Sequence, residues 1–214
     1  MKAAGEASRA KFGDPTILIN NAGIVFNGPI TKITTQQASL TYKVNILAHG
    51  ITVREFLPSM YRNNKGHVVT IASIAGTCAV PNQMDYNCSK FAAFAFDEGL
   101  RGEIRKNKKN VKTLCFCPYF VDTGMFDGAK SKYPLILPIL KTDWVCDRIV
   151  NAIRQEEKVV ITPFIGTAIF MMRYIMPVTA FDYVNEKLGS YDCVDDLINR
   201  FNRDNKQQER EGNL

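Results

Sequence analysis

The sequence has few of the residues that build metal centres. It contains two histidines, His49 and His67, and none of its six cysteines stands in a Cys-x-x-Cys pair. Structural zinc sites usually depend on such pairs, so we expect no metal. Cys115 and Cys117 lie in an apolar run and are interpreted as buried thiols. The charged, Ala-rich start does not resemble a secretory leader, which predicts reduced thiols and a location facing the cytosol.

The features of nucleic-acid-binding and membrane-spanning proteins are also lacking. The net charge is +6, yet no basic stripe alternates with aromatic residues, so we expect no nucleic-acid partner. The positive charge is interpreted as belonging to an ordinary solvated surface. Alternatively, it attracts the chain to an anionic lipid surface or to a phosphorylated cofactor. Residues 159–172 are uncharged, but this run is shorter than the roughly 20 apolar residues that a membrane-spanning helix needs. They predict a core or substrate-capping helix, or an interfacial helix on a lipid surface.

What the sequence does contain is a regular alternation of short apolar runs and longer amphipathic segments. Its 214 residues, 46% of them hydrophobic, suffice for one sizeable core. Short apolar runs bounded by turn residues fit strands that are covered on both faces. Strands are predicted at 16–20, 67–73, 111–117 and 158–162, and helices at 1–12, 34–57, 84–105 and 143–156, the second helix ending before Pro58. This order predicts a parallel α/β sheet with right-handed crossovers.

A tyrosine and a lysine stand four residues apart on the predicted helix 84–105. This spacing places Tyr86 and Lys90 on one face, one turn apart. A phenol titrates near pKa 10, and a neighbouring ammonium is expected to lower that pKa by stabilising the phenolate. Such a pair exchanges a proton with an alcohol or carbonyl oxygen. Ser73, at the end of a predicted strand, adds a hydroxyl that can donate to the same oxygen.

Other polar residues follow the predicted strands where each strand ends. Asn20-Asn21-Ala22-Gly23 follows the first strand, and residues 118–124 follow the third. Asn45 lies inside the intervening helix, where asparagine is a mediocre helix former. Ligands of open α/β sheets bind outside the carboxyl ends of the strands. These groups are therefore expected to face one crevice.

Taken together, these residues resemble the short-chain dehydrogenase/reductase family in order and spacing, over almost the whole chain. The resemblance implies an α/β fold with a Rossmann-like, doubly wound parallel sheet, and NAD or NADP as cofactor. It implies that Tyr86 is the general acid/base, that Lys90 lowers the pKa of Tyr86 and binds the nicotinamide ribose, and that Ser73 orients the substrate oxygen. Asn45 would hold the water that links Lys90 to solvent.

The same resemblance implies further contacts with the cofactor. Asn21, Ala22 and Gly23 would support the adenosine-side ribose and the central strands. Val121 and Thr123 would contact the nicotinamide amide. Tyr119 departs from the Pro-Gly of many family members and would bring a bulky ring near the nicotinamide site, as in the lipid-metabolising members, or would simply pack there.

One departure from the family is large. The family opens with a strand and a Thr-Gly-x-x-x-Gly-x-Gly turn that cradles the pyrophosphate, whereas only Gly5 and Gly13 precede Asn20 here. We therefore expect an intact protein to have about three more strands before Met1, and this chain to be a fragment, a natural short isoform or a degenerate relative. Residues 1–162 are expected to be a partial NAD(P)-binding domain, 163–201 its apolar substrate-cap or membrane-associating segment, and 202–214 a disordered tail.

Residues 117–126 and the apolar C-terminal part resemble a branch of the family, the retinol dehydrogenases and lipid-droplet hydroxysteroid dehydrogenases. That likeness implies oxidation or reduction of lipophilic alcohols and ketones (retinoids, steroids or fatty alcohols). It also implies a place on the cytosolic face of the endoplasmic reticulum membrane or on lipid droplets, and a homodimer when intact. The alternative is a catalytically idle form that acts as a lipid-surface or dimerising binding protein.

Overall fold

The computed structural model describes residues 2–126 and 128–199, and the tail predicted at 202–214 lies outside them. Four parallel strands form one sheet in the order β1-β2-β3-β4. The elements are α1 (Lys2–Phe12), β1 (Ile17–Asn20), α2 (Thr35–Tyr42), a π-helical turn (Lys43–Leu47), α3 (Ala48–Arg62), β2 (Gly66–Ile71), α4 (Met84–Lys106), β3 (Val111–Pro118), α5 (Thr142–Arg154), β4 (Val159–Thr162), α6 (Ile165–Ile175) and α7 (Val178–Lys187). The predicted parallel α/β sheet is confirmed.

The two central strands are covered on both faces. On one face Val69, Leu114 and Phe116 pack against α5, and all three side chains are fully buried. On the other face Val68 packs with residues of α3 and α4, such as Val53 and Leu100. This double burial explains why the strands were visible in the sequence as apolar runs without alternation.

Strand β1 lies at one edge of the sheet. Among the described residues it pairs with β2 alone, from Ile17 opposite His67 to Asn20 opposite Thr70. Ile17 and Ile19 are each 49% exposed. The three strands expected before β1 remain a prediction.

The predicted helix 34–57 is wrong in its end, and it contains a π-helical turn that the sequence did not predict. Thr34 caps α2 in a capping box with Gln37, and a π-helical turn then separates α2 from α3. Helix α3 runs on past Pro58 to Arg62. The residues after Pro58 are held by packing, since Met60 is 1% exposed and belongs to the cluster under α3 and α4. Tertiary packing thus outweighs the cost of an interior proline.

The apolar C-terminal part forms the two helices α6 and α7. Met176 is extended, as expected for a residue before proline, and Pro177 is the N-cap of α7. Within residues 2–126 and 128–199, no helix has both the length and the apolar character needed to cross a membrane.

Candidate active site

Ser73 lies just beyond the carboxyl end of β2. Its backbone is extended, and its Oγ accepts a hydrogen bond of 3.1 Å from the backbone N–H of Ala75, which starts a short 3-10 turn at Ile74–Gly76. The same hydroxyl lies 3.5 Å from the carbonyl oxygen of Pro118, at the end of β3. Ser73 is therefore held at the carboxyl edge of the sheet, where it was predicted.

Tyr86 lies in the first turn of α4 and is 4% exposed. Burial raises the pKa of its phenol to about 12, against the lowering effect of a hydrogen bond with Ser73. The sequence predicted a lowered pKa, and the structure shows the opposite because desolvation of the phenolate outweighs the stabilising contacts. Ser73 and Tyr86 are nonetheless brought together, as expected.

Lys90 lies one turn further along α4 and is also buried, at 4% exposure. Its Nζ donates a hydrogen bond of 2.8 Å to the carbonyl of Ile71 and lies 5.7 Å from the centre of the Tyr86 ring. Burial lowers the pKa of Lys90 to about 8. No carboxylate within the described part of the chain forms an ion pair with this ammonium. Lys90 is thus a buried cation whose bond to Ile71 uses one of its three N–H groups.

Asn45 occupies the π-helical turn and is fully buried. Its Nδ2 donates to the carbonyl of Ile24 at 2.9 Å and to Oγ of Ser89 at 3.0 Å, and its Oδ1 accepts from the N–H of Ile24 at 2.8 Å. The side chain therefore ties the segment after β1 to α4. π-turns inside helices are frequent at functional sites, and this one places Asn45 beside Lys90. The water expected between Asn45 and Lys90 remains a prediction.

The segment after β1 passes close to this pair. Asn21 and Ala22 are exposed, and Gly23 is half-buried. A Cβ on Gly23 would lie 3.5 Å from Nζ of Lys90 and 3.6 Å from Oδ1 of Asn45. Gly23 thus borders Lys90 and Asn45, and the cofactor contacts of Asn21, Ala22 and Gly23 remain predictions.

The segment after β3 borders the same edge. Val121 bridges to Leu140, and the N–H of exposed Thr123 bonds the carbonyl of Val121 at 2.7 Å. Between them, Asp122 forms an ion pair with Lys141 at 2.9 Å and accepts from the N–H of Thr142. These contacts lower the pKa of Asp122 to about 2, the bond from Lys141 being the largest cause.

The residues present fit the nicotinamide ribose of a dinucleotide cofactor. Lys90 has N–H groups left to donate after its bond to Ile71, and a ribose diol offers acceptors for them. Gly23 and the exposed Thr123 lie at the same edge of the sheet. The glycine-rich turn that would hold the pyrophosphate does not occur in this sequence.

A small, largely apolar crevice adjoins Ser73 and Tyr86. Its walls include side chains from the β3 end and from the C-terminal helices: Tyr119, Phe120, Phe126, Leu137, Ile169 and Leu188. Tyr119 therefore forms part of the crevice wall. In the segment 163–201, which was expected to cap the substrate or to associate with a membrane, Ile169 lines the crevice, whereas Phe164 is 84% exposed.

Several residues of the crevice were missed from the sequence. Gln83, Asn185 and Ser190 line it together with the buried thiols of Cys78 and Cys193. They come from segments far apart in the chain, and no local spacing marks them. The one sequence signal was the presence of polar residues inside an otherwise apolar C-terminal part.

Arg173 connects α6 to α4 and to the turn that follows Ser73. Its guanidinium donates a bond of 2.8 Å to the carbonyl of Thr77 and lies 4.9 Å from the centre of the Phe91 ring. Helix α6 is therefore held on α4 and on the turn that follows Ser73.

Comparison with known proteins agrees with this geometry. The model of the short chain dehydrogenase family matches residues 1–134. The chain is 35% identical over 205 residues to short-chain dehydrogenase/reductase family 16C member 6 of Bos taurus, covering 95% of this chain and 65% of that protein. It is 37% identical over 188 residues to estradiol 17-beta-dehydrogenase 11 of Macaca fascicularis, covering 87% and 62%. It is 35% identical over 193 residues to human epidermal retinol dehydrogenase 2, covering 90% and 62%.

Among solved structures, a short chain dehydrogenase/reductase from Burkholderia phymatum in complex with NAD is similar, with a TM-score of 0.73 and 25% identity, over 81% of this chain and 70% of that one. The chain spans less than two thirds of the length of the three relatives above. On the family match, the identities and the arrangement of Ser73, Tyr86 and Lys90, the chain belongs to the short-chain dehydrogenase/reductase family, in the branch of the retinol and 17-beta-hydroxysteroid dehydrogenases.

Proposed function

We propose that the chain carries the catalytic part of an NAD(P)-dependent oxidoreductase that acts on the CH–OH group of lipophilic alcohols, or on the matching ketones. The observation that carries the proposal is the placement of Tyr86 and Ser73 on the wall of an apolar crevice, with the Nζ of Lys90 5.7 Å from the centre of the Tyr86 ring. The relatives named for estradiol and retinol, and the neighbour that binds NAD, support it.

In this proposal Tyr86 moves the proton. With a pKa near 12 the phenol is protonated at neutral pH, so it can donate to a substrate oxygen during reduction. In the oxidative direction it must lose that proton, and the ammonium of Lys90 above its ring stabilises the phenolate. Ser73, hydrogen-bonded to Tyr86, positions the substrate oxygen. The nicotinamide, when bound, supplies or accepts the hydride.

The other residues hold this arrangement and receive the cofactor. Asn45 fixes the segment after β1 against α4 and holds the water that links Lys90 to solvent. Asn21, Ala22 and Gly23 border the adenosine-side ribose. Val121 and Thr123 contact the nicotinamide amide, and Lys90 donates to the nicotinamide ribose.

The apolar character of the crevice walls favours a lipophilic substrate. They are aromatic and aliphatic on the sides formed by β3, α6 and the segment around Leu137, and pockets of this kind take apolar ligands with a few placed polar groups. A retinoid, a steroid or a fatty alcohol meets this description. Residues 163–201 are the substrate cap.

Activity and cofactor binding test the proposal. NADH and NADPH are titrated against the purified 214-residue chain and against the chain extended at its N-terminus, and turnover of lipophilic alcohols is measured wherever cofactor binds. We expect Tyr86→Phe to lower turnover roughly 100-fold or more, and Tyr133→Phe, which changes a partly exposed tyrosine, to leave it unchanged. Equal turnover by Tyr86→Phe and the parent chain would refute the catalytic assignment.

A second candidate function is binding to a lipid surface without catalysis. Helices α6 and α7 expose a band of large apolar side chains: Phe164, Met171, Tyr174, Ile175 and Val178, each at least 60% exposed. Positions 171, 174 and 175 share one face of α6 and Val178 begins α7, so these exposed apolar side chains can lie on a lipid surface. The location proposed is the cytosolic face of the endoplasmic reticulum membrane or a lipid droplet.

Flotation with vesicles or droplets tests this location. The double variant Tyr174→Glu/Ile175→Glu is expected to lose binding, while Val150→Glu, at an exposed apolar position on α5, is expected to keep it. Unchanged flotation of the double variant would rule out the band as the contact.

A homodimer of the intact protein is proposed through α3 and α4. Three aromatic rings of these helices make contacts within the chain: Phe56 lies under Arg9, Phe91 under Arg173, and Phe94 against Phe170. The proposed contact is therefore the groove between the helices, lined by Val53, Leu57, Tyr61 and Phe96. Sedimentation of the extended chain, with and without the substitution Phe96→Glu, measures whether the chain dimerises through this groove.

A further inference from the structure

A groove lined by cations lies at the edge of the sheet opposite the catalytic residues. It has a volume of about 570 Å³ and runs between the C-terminal half of α4 and the starts of β3 and β4. Ser73 lies beyond the carboxyl end of β2, whereas the groove borders the amino ends of its strands, so it is separate from the crevice and from the predicted cofactor contacts. The charged side chains that line it are five cations and one carboxylate: Arg101, Arg105, Lys109, Lys112, Lys158 and Glu156.

Much of this positive charge is not neutralised within the protein. Lys112 pairs with Glu156 at 2.8 Å. Arg101 places one guanidinium nitrogen 3.0 Å from the buried carboxylate of Asp97, which fixes its orientation and leaves other N–H groups free to donate. The remaining three cations form no ion pair in the described part of the chain: Arg105, Lys109 and Lys158.

The walls of the groove are held in place by buried side chains and by the backbone. Ile104 and Val111 lie beneath it and are 4% and 5% exposed. The N–H of Lys109 bonds the carbonyl of Ile104 at 3.2 Å, and the carbonyl of Lys158 accepts from the N–H of Cys115 at 2.9 Å. The cations therefore project from a fixed frame, which lowers the cost of ordering the site when a ligand binds.

The stability of α4 explains only part of this cluster. A cation in the last turn of a helix interacts favourably with the helix dipole, and Arg105 stands in that turn. Lys112 and Lys158 belong instead to the first part of β3 and to the residue before β4. Like charges that converge on one groove repel one another, and a bound anion offsets that repulsion.

We propose that this groove binds a ligand that carries two or more phosphate groups. Guanidinium and ammonium groups both donate to phosphate oxygens, arginine through two parallel bonds. Because the cations come from α4 and from the starts of β3 and β4, more than one phosphate is needed to meet them. The volume lies within the range of about 300–1,000 Å³ that is usual for small-molecule sites. The site uses no residue of the proposed catalysis, so the inference goes beyond the proposed function and does not depend on it.

Equilibrium dialysis of labelled pyrophosphate against the purified 214-residue chain, without cofactor, tests the inference. We expect saturable binding that weakens as the salt concentration rises, because the lining cations are partly exposed and are screened. Citrate, which spreads a similar charge over three carboxylates, is expected to bind more weakly. No saturable binding of pyrophosphate, or equal affinity for citrate, would overturn the inference.

Exposed charges allow the binding to be assigned to the groove without disturbing the fold. Arg105→Gln and Lys158→Gln are each expected to weaken pyrophosphate binding about tenfold, the value of one charge-assisted hydrogen bond. The matched control Lys187→Gln, which removes an exposed cation from α7, is expected to leave binding unchanged. Glu156→Gln is expected to tighten binding, because it removes the one carboxylate of the lining and releases Lys112. Equal losses in Lys187→Gln and the groove variants would show a general attraction by the net charge and would overturn the inference.

Sedimentation with vesicles distinguishes a lipid headgroup from a soluble ligand. Binding to phosphatidylcholine vesicles that contain phosphatidylinositol bisphosphate, weakened by Lys158→Gln, would identify a phosphorylated headgroup as the ligand. Pyrophosphate binding without binding to these vesicles would identify a soluble phosphorylated molecule. Equally strong binding to phosphatidylserine vesicles of the same net charge would overturn the requirement for clustered phosphates. Failure of the proposed function shows separately, because Tyr86→Phe is expected to bind pyrophosphate as the parent chain does, whether or not the parent turns over an alcohol.

Discussion

His49 and Asp97 are buried titratable residues whose pKa values are displaced in opposite directions over one pH range. His49, on α3, is 2% exposed, and burial, helped by the charge of Lys90, lowers its pKa from 6.5 to about 4. Asp97, on α4, is 0% exposed, and burial raises its pKa from 3.8 to about 6, against the lowering effect of Arg101.

The two displacements have opposite effects on stability. Between about pH 4 and 6.5 the unfolded chain holds a proton on His49 that the folded chain does not, so His49 makes the folded state more stable as the pH rises. Over about pH 4 to 6 the folded chain keeps a proton on Asp97 that the unfolded chain has lost, so Asp97 makes the folded state less stable as the pH rises. At about 1.4 kcal/mol for each tenfold change in proton affinity, each effect amounts to roughly 3 kcal/mol, and the two nearly cancel.

Removing either titratable side chain should make visible the pH dependence of stability that the other one contributes. In Asp97→Asn the free energy of unfolding is expected to rise by about 3 kcal/mol relative to the parent chain as the pH goes from about 4 to 7. In His49→Gln the free energy of unfolding, relative to the parent chain, is expected to fall by a similar amount over the same pH range. Urea denaturation followed by circular dichroism at a series of pH values measures both.

The control is Glu103→Gln, which removes an exposed carboxylate elsewhere on α4. Its pH profile is expected to run parallel to that of the parent. If the profiles of Asp97→Asn and His49→Gln also run parallel to the parent within about 1 kcal/mol, the burial argument is refuted.

Four further substitutions probe packing, helix propensity and capping by the same denaturation assay. Phe116→Ala, at a fully buried side chain in the centre of the sheet, is expected to lower the free energy of unfolding by about 3–5 kcal/mol; a smaller loss would mean that the core closes around the gap. Gly76→Ala would place its Cβ 2.5 Å from the backbone oxygen of Lys90 and is expected to cost roughly 1–3 kcal/mol, whereas Gly102→Ala, which meets open space on α4, is expected to be neutral or to stabilise by up to about 1 kcal/mol. Thr34→Ala removes the capping box of α2 and is expected to cost about 1 kcal/mol, a result that an unchanged midpoint would contradict.

Much of the sheet was predictable because its strands are buried on both faces. The runs at 67–73 and 111–117 carry Val69 and Phe116 into one cluster and Val68 into the other, and such strands are visible as uninterrupted apolar sequence. The end of α3 was not predictable in this way. The local cost of Pro58 argues for a break, and the burial of Met60 that overrides it comes from packing across the sheet.

The residues of the candidate site also divide into those that the sequence predicted and those that it did not. Ser73, Tyr86 and Lys90 were found because strand ends and helical spacing bring them together over short stretches of chain. Asn185 was missed because its partner Cys78 is 107 residues away. The π-helical turn that carries Asn45 was also missed, since a local change in helical winding leaves no apolar pattern.

The order of the strands in the sheet has a consequence for the newly made chain. Neighbouring strands are far apart in sequence: Ile17 pairs with His67, Val68 with Thr113, and Cys115 with Val159. Each apolar strand that leaves the ribosome must therefore wait for about 45 to 50 further residues before its partner exists, which at about 5–20 residues per second is a delay of several seconds. During that interval Val68 and Val69 have no sheet to join beyond β1. Synthesis thus sets the pace at which the sheet assembles, and chaperones have time to bind the chain.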